Sequence, residues 1–291
     1  ESMAELANSK HIFARTVTPD DLSLQMIGYR PRRRAVVKVS AGDEIVYVKV
    51  LRSRLFDDVL ARHRLLSEAG LPVADVAATT DDHLLVLREL RGEPLARAIF
   101  EPAEPCTAEA LIGLLDAMPA SVARLDRRPP WSDAVAHYAR MVAAAMPVLG
   151  SKLNWLVETI SQGLAPIPPG SEPTHGDFHE GQVHVAGGRV CGLLDTDTIG
   201  PGRRADDLAC LVAHLSTIQR MNSAQEARVH QLIRRWVPVF DTRVDATELR
   251  LRSAAVIISL ATGPFRGQEP DWERETATMI GSAEALVRQV S

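Results

Sequence analysis

The chain is poor in cysteine, with Cys106, Cys191 and Cys210 scattered and odd in number. No C-x-x-C pair occurs, which speaks against a zinc finger or a disulfide framework and fits a reducing compartment. No apolar run reaches the ~18 residues of a membrane span, and no secretory leader is apparent. The expectation is a cytoplasmic protein without a membrane partner. There is no basic excess either: the formal net charge is −4. That gives no support for a nucleic-acid partner and is compatible with a small or cationic one. A nucleophile elbow, G-x-S-x-G, is missing, so the serine-hydrolase reading has no residue to rest on. Internal repeats are absent. What the chain has is a hydrophobic share of 46% over 291 residues. That buries a real core and suits one large domain or two lobes.

The first part reads as strands. Arg34 to Arg52 holds two β-rich runs around Ala41-Gly42-Asp43, a hairpin signal. The next stretch is helical, with Val59, Leu60, Leu65 and Leu66 apolar and Gly70 closing it. Two short strands follow, turning near Asp81-Asp82. Beyond Arg91-Gly92-Glu93-Pro94 the pattern becomes helical. Helices are expected over 108–125, 133–149, 152–164, 205–220, 223–240, 246–260 and 271–290, with a proline-rich connector at 165–174. The expected division is a strand-rich lobe at 1–90 and a helical lobe at 91–291.

Between those helices lies THGDFHEGQVHVAGGRVCGLLDTD, Thr174 to Asp197, dense in histidines and acids. His179-Glu180-Gly181-Gln182-Val183-His184 nearly spells the zinc-protease motif, but its histidines stand at i and i+5 rather than i and i+4. Gly181 and the β-type run after it also argue against a helix there. A tight turn at Ala186-Gly187-Gly188 and an apolar return to Leu194 read instead as a hairpin. That hairpin brings Asp195 back to the end that carries Asp177 and Gln182. All three offer oxygen ligands, which suit magnesium rather than zinc. An Asp to orient a hydroxyl, with an amide and a second Asp to hold Mg²⁺ against phosphates, is the logic of kinase-type phosphoryl transfer. Such a site needs a strand lysine, and Lys49 supplies it, with Lys38 as decoy.

The order of these motifs resembles the aminoglycoside phosphotransferase and choline kinase family. The family pattern H-G-D-x-H-x-x-N reads here as His175-Gly176-Asp177-Phe178-His179-Glu180-Gly181-Gln182. The strand ending in Asp reads Leu193-Leu194-Asp195-Thr196-Asp197, and the following helix start reads Ala205-Asp206-Asp207-Leu208-Ala209. Over about residues 25 to 215 the resemblance implies an α+β, bilobal protein-kinase-like fold, with a small antiparallel-sheet lobe and a larger helical one. It implies a small-molecule kinase that uses ATP or GTP with Mg²⁺ and phosphorylates a hydroxyl. Asp177 would be catalytic, Asp195 and Gln182 metal ligands, and Lys49 a contact to the α/β-phosphates. The backbones of Glu89 and Leu90 would meet the adenine.

His175 reads as structural, hydrogen-bonding the loop, and Asp207 as anchoring backbone at the N-terminus of the following helix rather than touching substrate. His179 stands between loop support and the substrate side, and Asp197 between a metal or substrate role and a solvated acid. Three departures mark the chain. Gln182 replaces the usual Asn. Arg30-Pro31-Arg32-Arg33-Arg34 replaces a glycine-bearing loop, and the arginines at 32–34 could reach phosphates, although a charge run is usually a solvated face. The helix acid expected to pair with Lys49 would be Asp58, not Glu. The acceptor would be aminoglycoside-like or another small molecule, drawn by Asp197, Asp206, Glu269, Asp271 and Glu273 if cationic. The departures keep a second reading open: a catalytically degenerate kinase-fold module that binds nucleotide without turnover.

Overall fold

A computed structural model describes residues 12–14, 17–30 and 34–290. Arg32 and Arg33 lie outside the described residues. The chain divides into two compact units. The smaller comprises residues 1–92 together with 191–197; the larger comprises 93–190 and 198–291. The expected break after residue 90 thus falls two residues later, and a short downstream segment joins the smaller unit.

In the smaller unit, β1 (Ser23–Arg30), β2 (Arg34–Ala41), β3 (Glu44–Leu51), β4 (Val76–Thr79) and β5 (Leu84–Arg88) form one antiparallel sheet, ordered β1-β2-β3-β5-β4. The β2–β3 turn needs Gly42, whose φ is 64°, a value that costs glycine little. Side chains alternate between the faces of a strand. Val39, Val46, Val48, Leu84 and Val86 therefore build one buried cluster, and Leu51, Leu85 and Leu87 build another with Phe56, Val59 and Leu60. Those last three lie on α1 (Ser53–Glu68), whose buried residues Phe56, Val59, Leu60, His63 and Leu66 fall at helical spacing on one face. Gly70, at φ 79°, ends the helix, with the Leu71 N–H donating to the Leu66 carbonyl at 3.1 Å.

Lys49 sits on the second face. Val36 lies directly opposite it in the β2–β3 ladder, so Arg34, two residues earlier, projects to the same side. Residues 191–197 are tied into this unit. The Leu193 N–H donates to the Pro72 carbonyl at 2.8 Å, and Leu193 bridges Val73 in parallel. His63 Nε2 meets the Ala74 carbonyl at 2.6 Å, and its Nδ1 faces the Thr196 hydroxyl at 3.3 Å.

The larger unit is mainly helical: α2 (Leu95–Ala98), α3 (Ala108–Asp116), α4 (Val135–Ala145), α5 (Gly150–Leu164), α6 (Arg204–Ser216), α7 (Ser223–Phe240), α8 (Ala246–Leu260), α9 (Gly263–Arg266) and α10 (Trp272–Val287). Two expected helices are shorter than their patterns. The 108–125 helix stops at Asp116, and a 3₁₀ turn follows Pro119. The 133–149 helix ends at Ala145, just before Pro147. Proline removes a donor and clashes with the preceding turn, so it outweighs the apolar spacing. Helix α8 is buried nearly all round, Glu248 and Arg252 included, and packs against α4, α5 and α10.

Strand β6 (Glu93–Pro94) pairs with β8 (Val183–Ala186), and β7 (Glu172–Thr174) pairs antiparallel with β10 (Gly200–Gly202). Gly187 and Gly188, at φ 56° and 74°, turn the chain from β8 into β9 (Arg189–Leu193) as the glycines predict. The α+β architecture agrees with the expected kinase-like one.

Candidate active site

The smaller unit gathers a compact ion cluster. Lys49 Nζ lies 2.9 Å from Asp197 Oδ1 and 3.3 Å from Asp195 Oδ1. Arg34 grips Asp195 through two nitrogens, at 3.0 and 2.9 Å, and reaches Asp197 at 2.7 Å. Burial pushes the Asp195 carboxyl up, but the Lys49 charge and the Arg34 hydrogen bond outweigh it and hold the group well below the usual carboxylate range. The same contacts raise the Arg34 guanidinium, led by its hydrogen bond to Asp195. Asp195 itself sits at φ 50°, in the left-handed region. That conformation is uncommon for a non-glycine residue and recurs at functional sites.

Sequence reasoning misplaced one partner. Asp58 pairs with Arg62, one turn along α1, at 2.9 Å. The Lys49 ammonium is held instead by Asp195 and Asp197. Helical i,i+4 proximity supplied Asp58 with a nearer cation. Glu89 and Leu90 lie just past the end of β5 at Arg88, so both are outside its ladder. The Glu89 side chain accepts from the Tyr47 hydroxyl at 3.4 Å.

The loop after β7 belongs to the larger unit. Asp207, buried in the first turn of α6, accepts the backbone N–H groups of His175 at 2.9 Å and Gly176 at 2.8 Å. Arg204 pairs with the same carboxylate at 3.2 Å. The Thr198 hydroxyl donates to the His175 carbonyl at 2.9 Å. Gly176 takes φ 81°, and a Cβ there would stand 2.6 Å from the Thr198 carbonyl oxygen, so only glycine fits. Phe178 is fully buried against the His175 ring. Thus residues on either side of Asp177 are pinned. Its own half-buried carboxylate enters no hydrogen bond or ion pair among the described residues. That is what a group reserved for an incoming hydroxyl requires. His175 is wholly buried, and Asp207 anchors the backbone of the upstream loop rather than that of its own helix start.

Gln182 follows on the same loop. Its backbone N–H donates to the His179 carbonyl at 2.9 Å, and its amide lies 3.1 Å from His179 Nε2. The His179 ring also stacks on His214 of α6. His179 therefore has the loop-support contacts.

A cavity of about 290 Å³ opens beside this loop, bounded by Trp131, Tyr138, Gly176, Thr198, Asp206 and Arg252 among others. Asp206 is half-buried and held by Arg252 at 2.6 Å; the loss of solvent around it lifts its carboxyl to about 6. Glu269 is paired with Arg220, and Asp271 with Arg274 at 3.1 Å. The acids expected to attract a cationic acceptor are thus largely matched by arginines, which the sequence did not reveal.

A model of the phosphotransferase enzyme family matches residues 28–242. Comparison with curated protein sequences finds no match. Among solved structures, a thermostable mutant of aminoglycoside phosphotransferase APH(4)-Ia, in ternary complex with ADP and hygromycin B, is similar at TM-score 0.65 and 14% identity, covering 100% of this chain and 99% of the other. Spectinomycin phosphotransferase APH(9)-Ia, in complex with ADP and spectinomycin, has TM-score 0.63 and 13% identity, covering 98% and 97%. A choline/ethanolamine kinase family protein from Mesorhizobium loti has TM-score 0.62 and 16% identity, covering 98% and 94%. At such identities the likeness is one of fold.

Proposed function

Because this chain belongs to the phosphotransferase enzyme family, we propose that it is a nucleotide-dependent kinase acting on a hydroxyl of a small molecule. The observation that carries the proposal is the Asp177 loop. Its flanks are hung from buried Asp207, while the Asp177 carboxylate stays uncommitted. Asp177 would accept the acceptor hydroxyl's hydrogen bond, orient it for in-line attack and take its proton as the new O–P bond forms. Lys49 would hold the α/β-phosphates. The backbones of Glu89 and Leu90, beyond the β5 ladder, would offer hydrogen bonds to the base.

The donor atoms of Asp195, Asp197 and Gln182 are of the type that suits Mg²⁺. Two carboxylates, Asp195 and Asp197, converge on cationic side chains, and Gln182 offers an amide oxygen. Asp195 and Gln182 would hold the ion, as the family resemblance implies, with Asp197 beside them. Bound there, it would neutralise charge on the transferring phosphoryl group. ADP in the similar solved structures supports an adenine nucleotide as donor, with GTP as the alternative.

The cavity beside Gly176 is the proposed acceptor pocket. Trp131 and Tyr138 give it an aromatic wall, with ring centroids 6.3 Å apart. With Asp206 already matched by Arg252, recognition there would rest on hydroxyls and aromatic contact as much as on positive charge. His179 would contact the acceptor only by leaving its present partners. An aminoglycoside-like or similarly hydroxylated acceptor, amine-bearing or not, fits this lining.

A second reading has one observation in its favour. Arg34 and Lys49 already neutralise Asp195 and Asp197, as they would in a nucleotide-binding module without turnover. Phosphoryl transfer from ATP or GTP to a panel of aminoglycosides, choline-type alcohols and sugars separates the two. Magnesium-dependent turnover on any acceptor supports the kinase. Nucleotide binding with no turnover across the panel supports the module.

A further inference from the structure

The catalytic-loop stretch contains a second group of donors that the phosphotransfer reading does not use. His179 and Glu180 lie on that loop, and His214 lies in the last turn of α6. One potential ligand atom from each falls within 4.8 Å of the other two. Glu180 Oε2 is 3.9 Å from His179 Nδ1 and 3.8 Å from His214 Nδ1, too far for hydrogen bonds. This oxygen is buried and has no hydrogen-bond partner. The Glu180 backbone is anchored, its carbonyl accepting the Ala96 N–H at 3.0 Å.

A buried carboxylate oxygen without a donor is costly unless a cation joins it. The two imidazoles beside it are stacked, with centroids 4.2 Å apart and planes at 7°. Such rings cannot both carry charge comfortably. A neutral imidazole keeps a lone pair for coordination.

We propose that His179, Glu180 and His214 form a binding site for a divalent transition metal of the zinc class. Two imidazole nitrogens and one carboxylate oxygen are a borderline donor set that selects zinc-like ions over magnesium or calcium. A tetrahedral site with ~2.0–2.1 Å bonds spaces its ligands roughly 3.3 Å apart. The two Glu180 separations exceed that by about half an ångström, which side-chain rotation supplies. The rings must tilt from their stack so that both lone pairs converge, and the fourth position is left for water.

The site is distinct from the hydrolase-type motif that the sequence brings to mind. His184 takes no part; the third ligand comes from α6, 35 positions beyond His179 (214 minus 179). Coordination would also reach Gln182. His179 Nδ1 now accepts the Gly181 N–H at 3.1 Å, and its Nε2 faces the Gln182 amide. Turning the ring toward a metal through Nδ1 gives up the first contact and redirects the second.

The test uses the full chain, stripped with a chelator and titrated with zinc chloride by calorimetry. Cobalt chloride is added in a parallel experiment to read the ligand field by visible absorption. The expected result is one equivalent of zinc, a rise in melting temperature on zinc addition, and a cobalt spectrum of tetrahedral nitrogen/oxygen type. Magnesium chloride should not compete. Removing a ligand should weaken zinc binding at least as much as the ~10–100-fold typical of disturbing an outer-shell partner. Glu180→Gln, which keeps shape, and His214→Asn should therefore each lose about tenfold or more in affinity and alter the cobalt spectrum. Circular dichroism checks that both variants fold. If one of them does not, the other and the cobalt spectrum of the parent decide. No zinc binding by the parent, stoichiometric binding that neither substitution weakens, or a thiolate-type cobalt spectrum overturns the proposal.

Discussion

Arg34 and Asp195 face each other through two parallel hydrogen bonds, at 3.0 and 2.9 Å, across a separation of 161 residues. The geometry is the forked match of guanidinium to carboxylate, the strongest kind of side-chain pairing. It follows from strand parity: Arg34 shares a sheet face with Lys49, and both meet the segment that returns after β9. The depressed Asp195 carboxyl contributes stability above its unfolded value of ~3.9 and loses it as pH falls through the folded value. Arg34→Met should therefore cost about 1–2 kcal/mol at neutral pH. The gap to the parent should close as pH drops below about 4. Denaturant unfolding at pH 7 and pH 3 checks this; an equal gap at both contradicts it.

Nucleotide should stabilise the protein more with Mg²⁺ than without, by mass action. Asp195→Ala should abolish that magnesium-dependent increment and leave the metal-free shift. Thermal melts at saturating ATP or GTP, with and without magnesium, measure it. Equal shifts in the parent under both conditions would remove the metal role from Asp195.

Asp207 holds two loop N–H groups and Arg204 in a buried setting. Asp207→Ala leaves these donors unmet and should cost about 3 kcal/mol or more in unfolding free energy. Turnover should fall with it, since the loop loses its tether. A variant as stable as the parent would show that the loop is held by other means.

Gly176→Ala places a Cβ 2.6 Å from the Thr198 carbonyl at a φ of 81°. The cost should be about 1–3 kcal/mol. The loop should also shift, so activity should fall more than stability alone explains. Kinetics at a temperature where the variant remains folded separates the two effects.

Local patterns carried most of the fold. Alternation in β2 and β3, the Gly42 turn, Gly70 after α1 and the paired glycines before β9 all act between neighbours, and all were legible. Prolines 119 and 147 broke two helices whose apolar spacing ran through them. The candidate catalytic loop was legible because its residues are consecutive. What the sequence concealed were partners chosen by the tertiary fold. Asp58 turned to Arg62, Asp206 to Arg252, and Arg34 occupied both acids after β9. His214 gave no signal, because a helix histidine reads the same whether or not a carboxylate faces it.

The most direct measurement is turnover by Asp177→Asn, on whichever acceptor the parent phosphorylates. The amide keeps the shape and hydrogen-bonding reach of the side chain but cannot take the hydroxyl proton. Turnover should fall about 10²-fold or more, the usual scale of acid–base assistance. Nucleotide affinity should stay the same, because Asp177 is assigned to the acceptor hydroxyl. A variant that turns over like the parent contradicts the central assignment of Asp177.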